Sequence, residues 1–240
     1  DLCARGTPRE QFIKNGKILY QPYLTNINSL PFIDRDILYG QKPAFKKDIS
    51  ILTGRNCPYS CAFCASAALN RQYKENGLGK AVRQRSVSNV MQEILIVKQK
   101  YHPRSIYFVD DVFTMDTEWL REFAPRYNRF IGLPFYCTAN PATIRDEELY
   151  LLKQAHGQMI GFGMQSCDEE YRRTSLKRYG SNKRIRAVAE LCHYLKINFS
   201  FDHILNLPNE PENNQIEAIE FYNDTRPDII NTFDMTYLPR

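Results

Sequence analysis

Apolar residues in this chain alternate between short runs and stretches at helical spacing, and the alternation sets in at about Asp48. Ile49 to Leu52 is a short apolar run that stops at Gly54, and a long loop with three close cysteines follows it. Within Val87 to Tyr101, the residues Val90, Ile94, Val97 and Tyr101 recur at helical spacing, with Ser86 or Ser88 as the cap. Ser105 to Val109 predicts a compact strand ending on Asp110-Asp111, Trp119 to Phe130 a helix, Leu133 to Thr138 a strand and Asp146 to His156 a helix. Met159 to Met164 reads as a Gly-interrupted strand. A helical, basic stretch follows, then a helix over Lys183 to Leu195 with Val188, Leu191, Cys192 and Leu195 on one face. Ile197 to Leu205 predicts a strand, Glu212 to Asn223 a helix and Thr232 to Leu238 a last strand.

The order is strand then helix, six times over. Such alternation implies parallel pairing through right-handed crossovers, and strands buried on both faces read as apolar runs. Six units fall short of the eight that close a barrel, so the expected fold is α/β, a partial (βα)6 barrel spanning residues 48 to 240. Its chemistry belongs at the carboxyl ends of the strands, where the following loops gather. Residues 1 to 47 show little periodicity and recurrent turn formers (Asn15-Gly16, Pro22, Pro31, Pro43), which predicts an irregular linking arm outside the core.

Composition refines this outline. With 240 residues, 43% of them hydrophobic, the chain can bury one large core. No stretch approaches the eighteen apolar residues of a membrane helix, and Asp1 to Arg9 has neither a basic head nor an apolar stretch behind it, so a cytoplasmic protein is expected. The chain opens on Asp1-Leu2-Cys3 without an initiator Met and reads as a fragment. Net charge is +5, with basic residues thickened between Arg71 and Arg85 and between Arg172 and Arg186. That modest excess reads as a solvated face and not as a nucleic-acid footprint. Seven cysteines, three of them within eight residues, point to a metal role in a reducing compartment and not to a disulfide framework.

The three close cysteines lie in Gly54-Arg55-Asn56-Cys57-Pro58-Tyr59-Ser60-Cys61-Ala62-Phe63-Cys64, directly after the first predicted strand. Soft thiolates suit iron-sulfur clusters and zinc. Structural zinc is normally closed by four ligands in two pairs, and no second Cys or His pair follows at such spacing. Cys137, Cys167 and Cys192 are isolated and behave as small hydrophobes. Three thiolates on four irons leave one metal unfilled. Cys57-x-x-x-Cys61-x-x-Cys64, with the aromatic Phe63 before the last cysteine, resembles the signature of the radical S-adenosylmethionine superfamily. The resemblance implies a four-iron, four-sulfur (4Fe-4S) cluster that binds S-adenosylmethionine (SAM) at the open iron and cleaves it reductively.

It also implies roles elsewhere. Asp110 or Asp111, after the second strand, would take the amino group of the methionine moiety, which a carboxylate suits. Asn140 falls at the end of the third strand, near the ribose. Gly161-Phe162-Gly163-Met164-Gln165-Ser166 resembles the family's Gly-x-Glu-Ser element, with Gln165 and Ser166 facing ribose and methionine. Lys177 or Arg178 stands where members keep a basic residue near the cofactor carboxylate. Asp202-His203-Ile204-Leu205-Asn206-Leu207-Pro208-Asn209-Glu210 resembles the Gly-x-Ile-x-Gly-Leu-Pro-x-Glu stretch, where Ile204 backs the adenine and both glycines are replaced. His203 is the candidate acid or base near substrate.

Leu24 to Tyr39 looks like the connector that leads, in cobalamin-dependent members, from a cobalamin-binding domain into the barrel. That branch implies cobalamin as a further cofactor, methyl transfer as the leading reaction, a small-molecule or peptide substrate, and an electron donor such as a flavodoxin or ferredoxin. The competing readings are a cobalamin-independent member, of methylthiotransferase or oxidative decarboxylase type, and a zinc-stabilised RNA-binding module.

Overall fold

The computed structural model describes residues 24–236 and, ahead of them, the backbone of Ile13–Lys14 and Lys17–Ile18, which pair antiparallel. Six strands form one sheet: β1 (Asp48–Ile51), β2 (Ser105–Phe108), β3 (Phe135–Ala139), β4 (Gly157–Gln165), β5 (Asn198–Leu205) and β6 (Ile229–Asp234). Neighbours pair in parallel throughout, and their order in space is their order in the chain. Every crossover therefore steps the same way, which stacks the helices on one face and leaves the other as a concave lumen. The edge strands β1 and β6 do not meet, so the barrel is partial and open, as the strand count predicted.

The crossovers carry α1 (Ala65–Glu75) and α2 (Val87–Tyr101), α3 (Thr117–Phe130), α4 (Asp146–Gln154), α5 (Glu169–Thr174) and α6 (Asn182–Leu195), and α7 (Asn213–Thr225). Side-chain oxygens start several of them: Ser86 accepts from Asn89 N at 3.2 Å, Asp116 from Trp119 N at 3.1 Å and Ser181 from Arg184 N at 3.2 Å. The core lies between helices and sheet. Ile49, Ile51, Ile106, Phe108, Phe135, Phe199 and Phe201 turn into it, and an aromatic cluster around Phe108, Phe113, Phe123 and Tyr127 fills one end.

The strands are buried on one face more than on two. Alternate residues face the lumen, among them Tyr107 and Tyr136, which stack with ring centroids 4.3 Å apart. The strand expected from Leu133 begins at Phe135, past Pro134, which has no N–H for the ladder. The last strand starts three residues before the expected Thr232, and Leu238 lies outside the described residues. The cysteine loop leads into a helix, α1, that was not expected. Only Tyr73 of that helix is buried, so it has no apolar stripe for periodicity to detect.

The arm also departs from expectation, because it joins the core. Tyr39 is buried in the main cluster and meets Tyr101 edge to face at 5.1 Å. Arg35 reaches Glu93 of α2 at 2.7 Å, and the other oxygen of Glu93 takes Arg85 at 2.6 Å. The same two guanidinium groups donate to carbonyls along β1, Arg35 to Ser50 at 3.0 Å and Arg85 to Leu52 at 2.8 Å. Turn formers and charges hide this from sequence, since a buried ion bridge leaves no apolar signal. Glu93→Ala leaves two buried cations without a counter-charge and is expected to cost about 3–5 kcal/mol. Urea unfolding measures this; a loss under about 1 kcal/mol would mean the bridge is screened like a surface pair.

Candidate active site

The cysteine loop springs from the junction of β1 with Thr53 and Gly54, and the carboxylate of Asp110 fixes that junction. It accepts from Thr53 N at 3.0 and 3.1 Å, from Thr53 Oγ1 at 2.9 Å and from Gly54 N at 2.6 Å. Asp110 is 4% exposed, and burial pushes its carboxyl up to about 6 against the pull of these donors. A β-carbon at Gly54 would stand 2.7 Å from the terminal methyl of Met115 and 3.2 Å from the Arg83 carbonyl, so a side chain there would have to displace Met115 and crowd the ribbon. Further along, Asn56 adopts φ +63°, Asn70 of α1 donates to Cys57 O at 2.8 Å, and Ala62 N donates to Leu176 O at 2.9 Å. α1 begins immediately after Cys64, so a helix amino end, with its partial positive charge, adjoins the last thiol.

The three thiols open onto one cavity of about 190 Å³ at the carboxyl ends of the strands. Cys57, Cys61, Cys64 and Phe63 form its loop side, with Tyr59 hydrogen-bonded to Thr143 at 2.6 Å. Burial, reinforced by Asp111 and the other two cysteines, raises the Cys57 thiol to about 11 despite a hydrogen bond from the Tyr59 backbone. Asp111, Thr138, Asn140, Gly161, Gly163, Gln165, Arg178 and Asp202 complete the wall. Arg178 donates to Cys61 Sγ at 3.5 Å and to Gly163 O at 2.5 Å, and Asp111 accepts from Ser66 at 3.2 Å. Register slips between Gly163 and Gln165, and Gln165 takes φ +72°, which aims its amide into the cavity. A β-carbon on Gly161 would collide with Tyr136 Oη at 2.1 Å, and one on Gly163 with Gln165 at 2.6 Å. The glycines leave the floor clear.

Other sequence-derived candidates fall outside the cavity lining. Asp110 serves the loop junction, while its neighbour Asp111 faces the cavity. Ser166 is fully buried, donates to Glu210 and accepts from Asp168 N at 3.2 Å. Lys177 is exposed, at φ +52°, while Arg178 turns inward. Ile204 packs with Phe63 against Tyr171, Leu176 and Leu207. His203 does not reach the site: strand alternation sends it to the helix side, where it bonds Tyr222 at 2.7 Å and Gln215 at 3.1 Å. Burial lowers its basicity against the opposing hydrogen bond with Gln215. Asp202, one residue earlier, holds the lumen position that the acid-base assignment gave to His203. It accepts from Asn231 at 2.9 Å, and burial raises its carboxyl. Its signal in the sequence was a carboxylate in place of a glycine.

Residues 51–222 match the family model described as the radical SAM superfamily. The chain belongs to that superfamily, whose members work with a 4Fe-4S cluster and SAM. It is 27% identical over 163 residues to an uncharacterized methyltransferase of Pyrococcus horikoshii, covering 64% of this chain and 33% of the relative. The chain thus spans a third of that relative's length. Its fold is similar to that of the cobalamin-dependent SAM radical enzyme OxsB, solved with aqua-cobalamin and SAM (TM-score 0.70, 17% identity, 92% of this chain and 33% of that one). It is also similar to TsrM of Kitasatospora setae, a radical SAM methyltransferase solved with cobalamin and a [4Fe-4S] cluster (TM-score 0.65, 17% identity, 77% and 36%). Among the described residues, no helix is long and apolar enough to cross a membrane.

The variant Asp110→Asn keeps the shape but turns an NH2 group toward the N–H donors of Thr53 and Gly54. It should cost about 1–3 kcal/mol. The wild-type carboxyl is raised from 3.8 to about 6, so its contribution is greatest at acid pH and lost as pH rises through 6. The deficit of the variant should therefore shrink between about pH 4 and 6 in urea melts; a constant deficit would contradict the placement of this carboxylate.

Proposed function

We propose that Cys57, Cys61 and Cys64 hold a 4Fe-4S cluster and that the adjoining cavity binds SAM. The observation carrying this is the convergence of three thiols, and no fourth Cys or His, on a cavity that also presents a carboxylate and a guanidinium. The donor set fits the cluster. Among the described residues, no three His, Cys, Asp or Glu side chains are gathered as one metal ion requires. Tetrahedral zinc with bonds of ~2.3 Å draws its sulfurs together, whereas a cluster takes each thiolate on its own iron. Held by Cys57, Cys61 and Cys64, a reduced cluster would supply the single electron for reductive cleavage of SAM.

The chain's own residues bind and orient. Asp111 suits an ammonium group and Arg178 a carboxylate, the two charged ends of an amino acid. Gln165 both donates and accepts, and Asp202 accepts, so the pair suits a sugar diol. Phe63 with Ile204 gives an apolar wall beside the loop, and Asn140, 4% exposed, is held by its bond from Ala142 N at 3.1 Å. Such walls exclude water and oxygen from a reactive intermediate. The likeness to a methyltransferase and to cobalamin-binding structures supports methyl transfer with cobalamin as methyl carrier, on a small-molecule or peptide substrate.

Anaerobic reconstitution tests the reading. The expected product is brown protein with about four irons per chain that forms 5'-deoxyadenosine under dithionite. One zinc per chain and no iron would defeat it. Changing Cys57, Cys61 or Cys64 to Ala should abolish cleavage of SAM, while Cys192→Ala, fully buried in the core, should leave it largely intact. Product assays with and without added cobalamin then separate methyl transfer from cobalamin-independent chemistry.

A further inference from the structure

Gly161 and Gly163 belong both to the cavity wall and to the concave face of the sheet, so the cavity borders the lumen across β4. The first groups met on that side are aromatic. Tyr107 of β2 and Tyr136 of β3 pair in register and stack with their rings 7° from parallel, and Tyr136 Oη comes up against Gly161. Tyr107 is 40% exposed, and Val109, two residues on, is 41% exposed. Across the sheet, Asn231 of β6 pairs in register with Asp202, which places Phe233, 54% exposed, on the same face. Contiguous exposed apolar side chains of this kind mark a surface that a ligand or partner covers.

The charge of the face narrows what can lie there. Among the described residues, the charged side chains at lumen-facing positions of the six strands are Asp48 and Asp202, both acidic. Arg178, the cation of the cavity wall, is engaged above them with Cys61 and Gly163 O. Burial, reinforced by Tyr107 and then by Asp202, raises the Tyr136 phenol, so this group stays an uncharged hydroxyl. Asn231 donates to Asp202 at 2.9 Å, which leaves its amide oxygen as a further acceptor. A phosphate or carboxylate brought onto this face would be desolvated beside aspartates without a counter-charge. A neutral or cationic ring would instead meet the faces of the tyrosines.

The reaction supplies the occupant. A hydrogen atom is taken only by a radical in contact with it, so the substrate has to border the cavity, and the two glycines are the part of its wall that interposes no side chain. We propose that the lumen beneath the cavity binds the substrate through a flat aromatic ring, neutral or cationic, laid against the stack of Tyr107 and Tyr136, with phosphate and carboxylate groups of the substrate kept off this face. This rests on the assignment of the cluster and SAM to the cavity.

The test uses reconstituted protein with SAM and no reductant, so that SAM stays intact. The probes are 1-naphthylmethylamine, 2-naphthol and 1-naphthyl phosphate, with cyclohexylmethylamine as the non-planar control, and affinities are read by ligand-observed NMR titration. The amine and the naphthol should each bind about tenfold or more tighter than the phosphate, and the naphthyl amine about tenfold tighter than its cyclohexyl counterpart. Tyr107→Ala should weaken the naphthyl amine about tenfold, whereas Tyr107→Phe, which keeps the ring, should stay within about twofold of the wild type. Iron content checks that the variants are folded, and Tyr107→Leu replaces the alanine variant if that one loses its cluster. The ranking of probes on the wild type needs no variant. Equal affinity for phosphate and amine, equal affinity for flat and saturated rings, no binding of any probe, or unchanged affinity in Tyr107→Ala would each overturn the proposal and leave the enzyme reading intact. A wild-type protein that takes up no iron and forms no 5'-deoxyadenosine with dithionite would instead remove the assignment on which the proposal rests.

Discussion

One buried carboxylate organises this protein. Asp110, at the end of β2, gathers the N–H groups of Thr53 and Gly54 and the Thr53 hydroxyl, and so fixes the direction in which the chain leaves β1. Those donors would otherwise be buried without partners. The carboxylate in turn is tolerated in an apolar setting because it has them. The Asp110 carbonyl accepts from Thr138 at 2.5 Å, which carries the constraint on to β3. The cysteine loop thus starts from a fixed point and is held further along by Asn70 and Leu176.

Around that point, neighbouring residues take opposite tasks. Asp110 braces the loop and Asp111 faces the cavity. Gln165 enters the cavity through a bulge while Ser166 is buried against Glu210. Asp202 looks into the lumen and His203 toward the helices. Arg178 reaches Cys61 while Lys177 remains in water. In each pair the backbone geometry, and not the chemistry of the side chain, decides which residue reaches the site.

Much of the fold was legible in the sequence. The alternation of apolar runs and helical spacing gave six parallel strands and most of the helices, since those patterns record burial directly. The helix over Val87–Tyr101 has the bounds its periodicity indicated. Features that do not depend on apolar burial were hidden. α1 has a single buried residue, and the arm is fastened by Arg35 and Glu93, which look like surface charges in a sequence. At the site, the spacing of the cysteines was visible, but the choice within each adjacent pair was not. Asp202 went unassigned because it appeared only as a departure from a glycine pattern.

The bridge through Glu93 has a mechanical consequence. Its two arginines grip the carbonyls of Ser50 and Leu52, one residue short of Thr53, where the cysteine loop is anchored. Arm, second helix and first strand are thereby clamped at a common joint, close to the sulfur ligands. A tether would let whatever pulls on the arm go unnoticed by those ligands; this joint acts as a splint, and any twist applied ahead of Arg35 arrives at the loop within a few bonds.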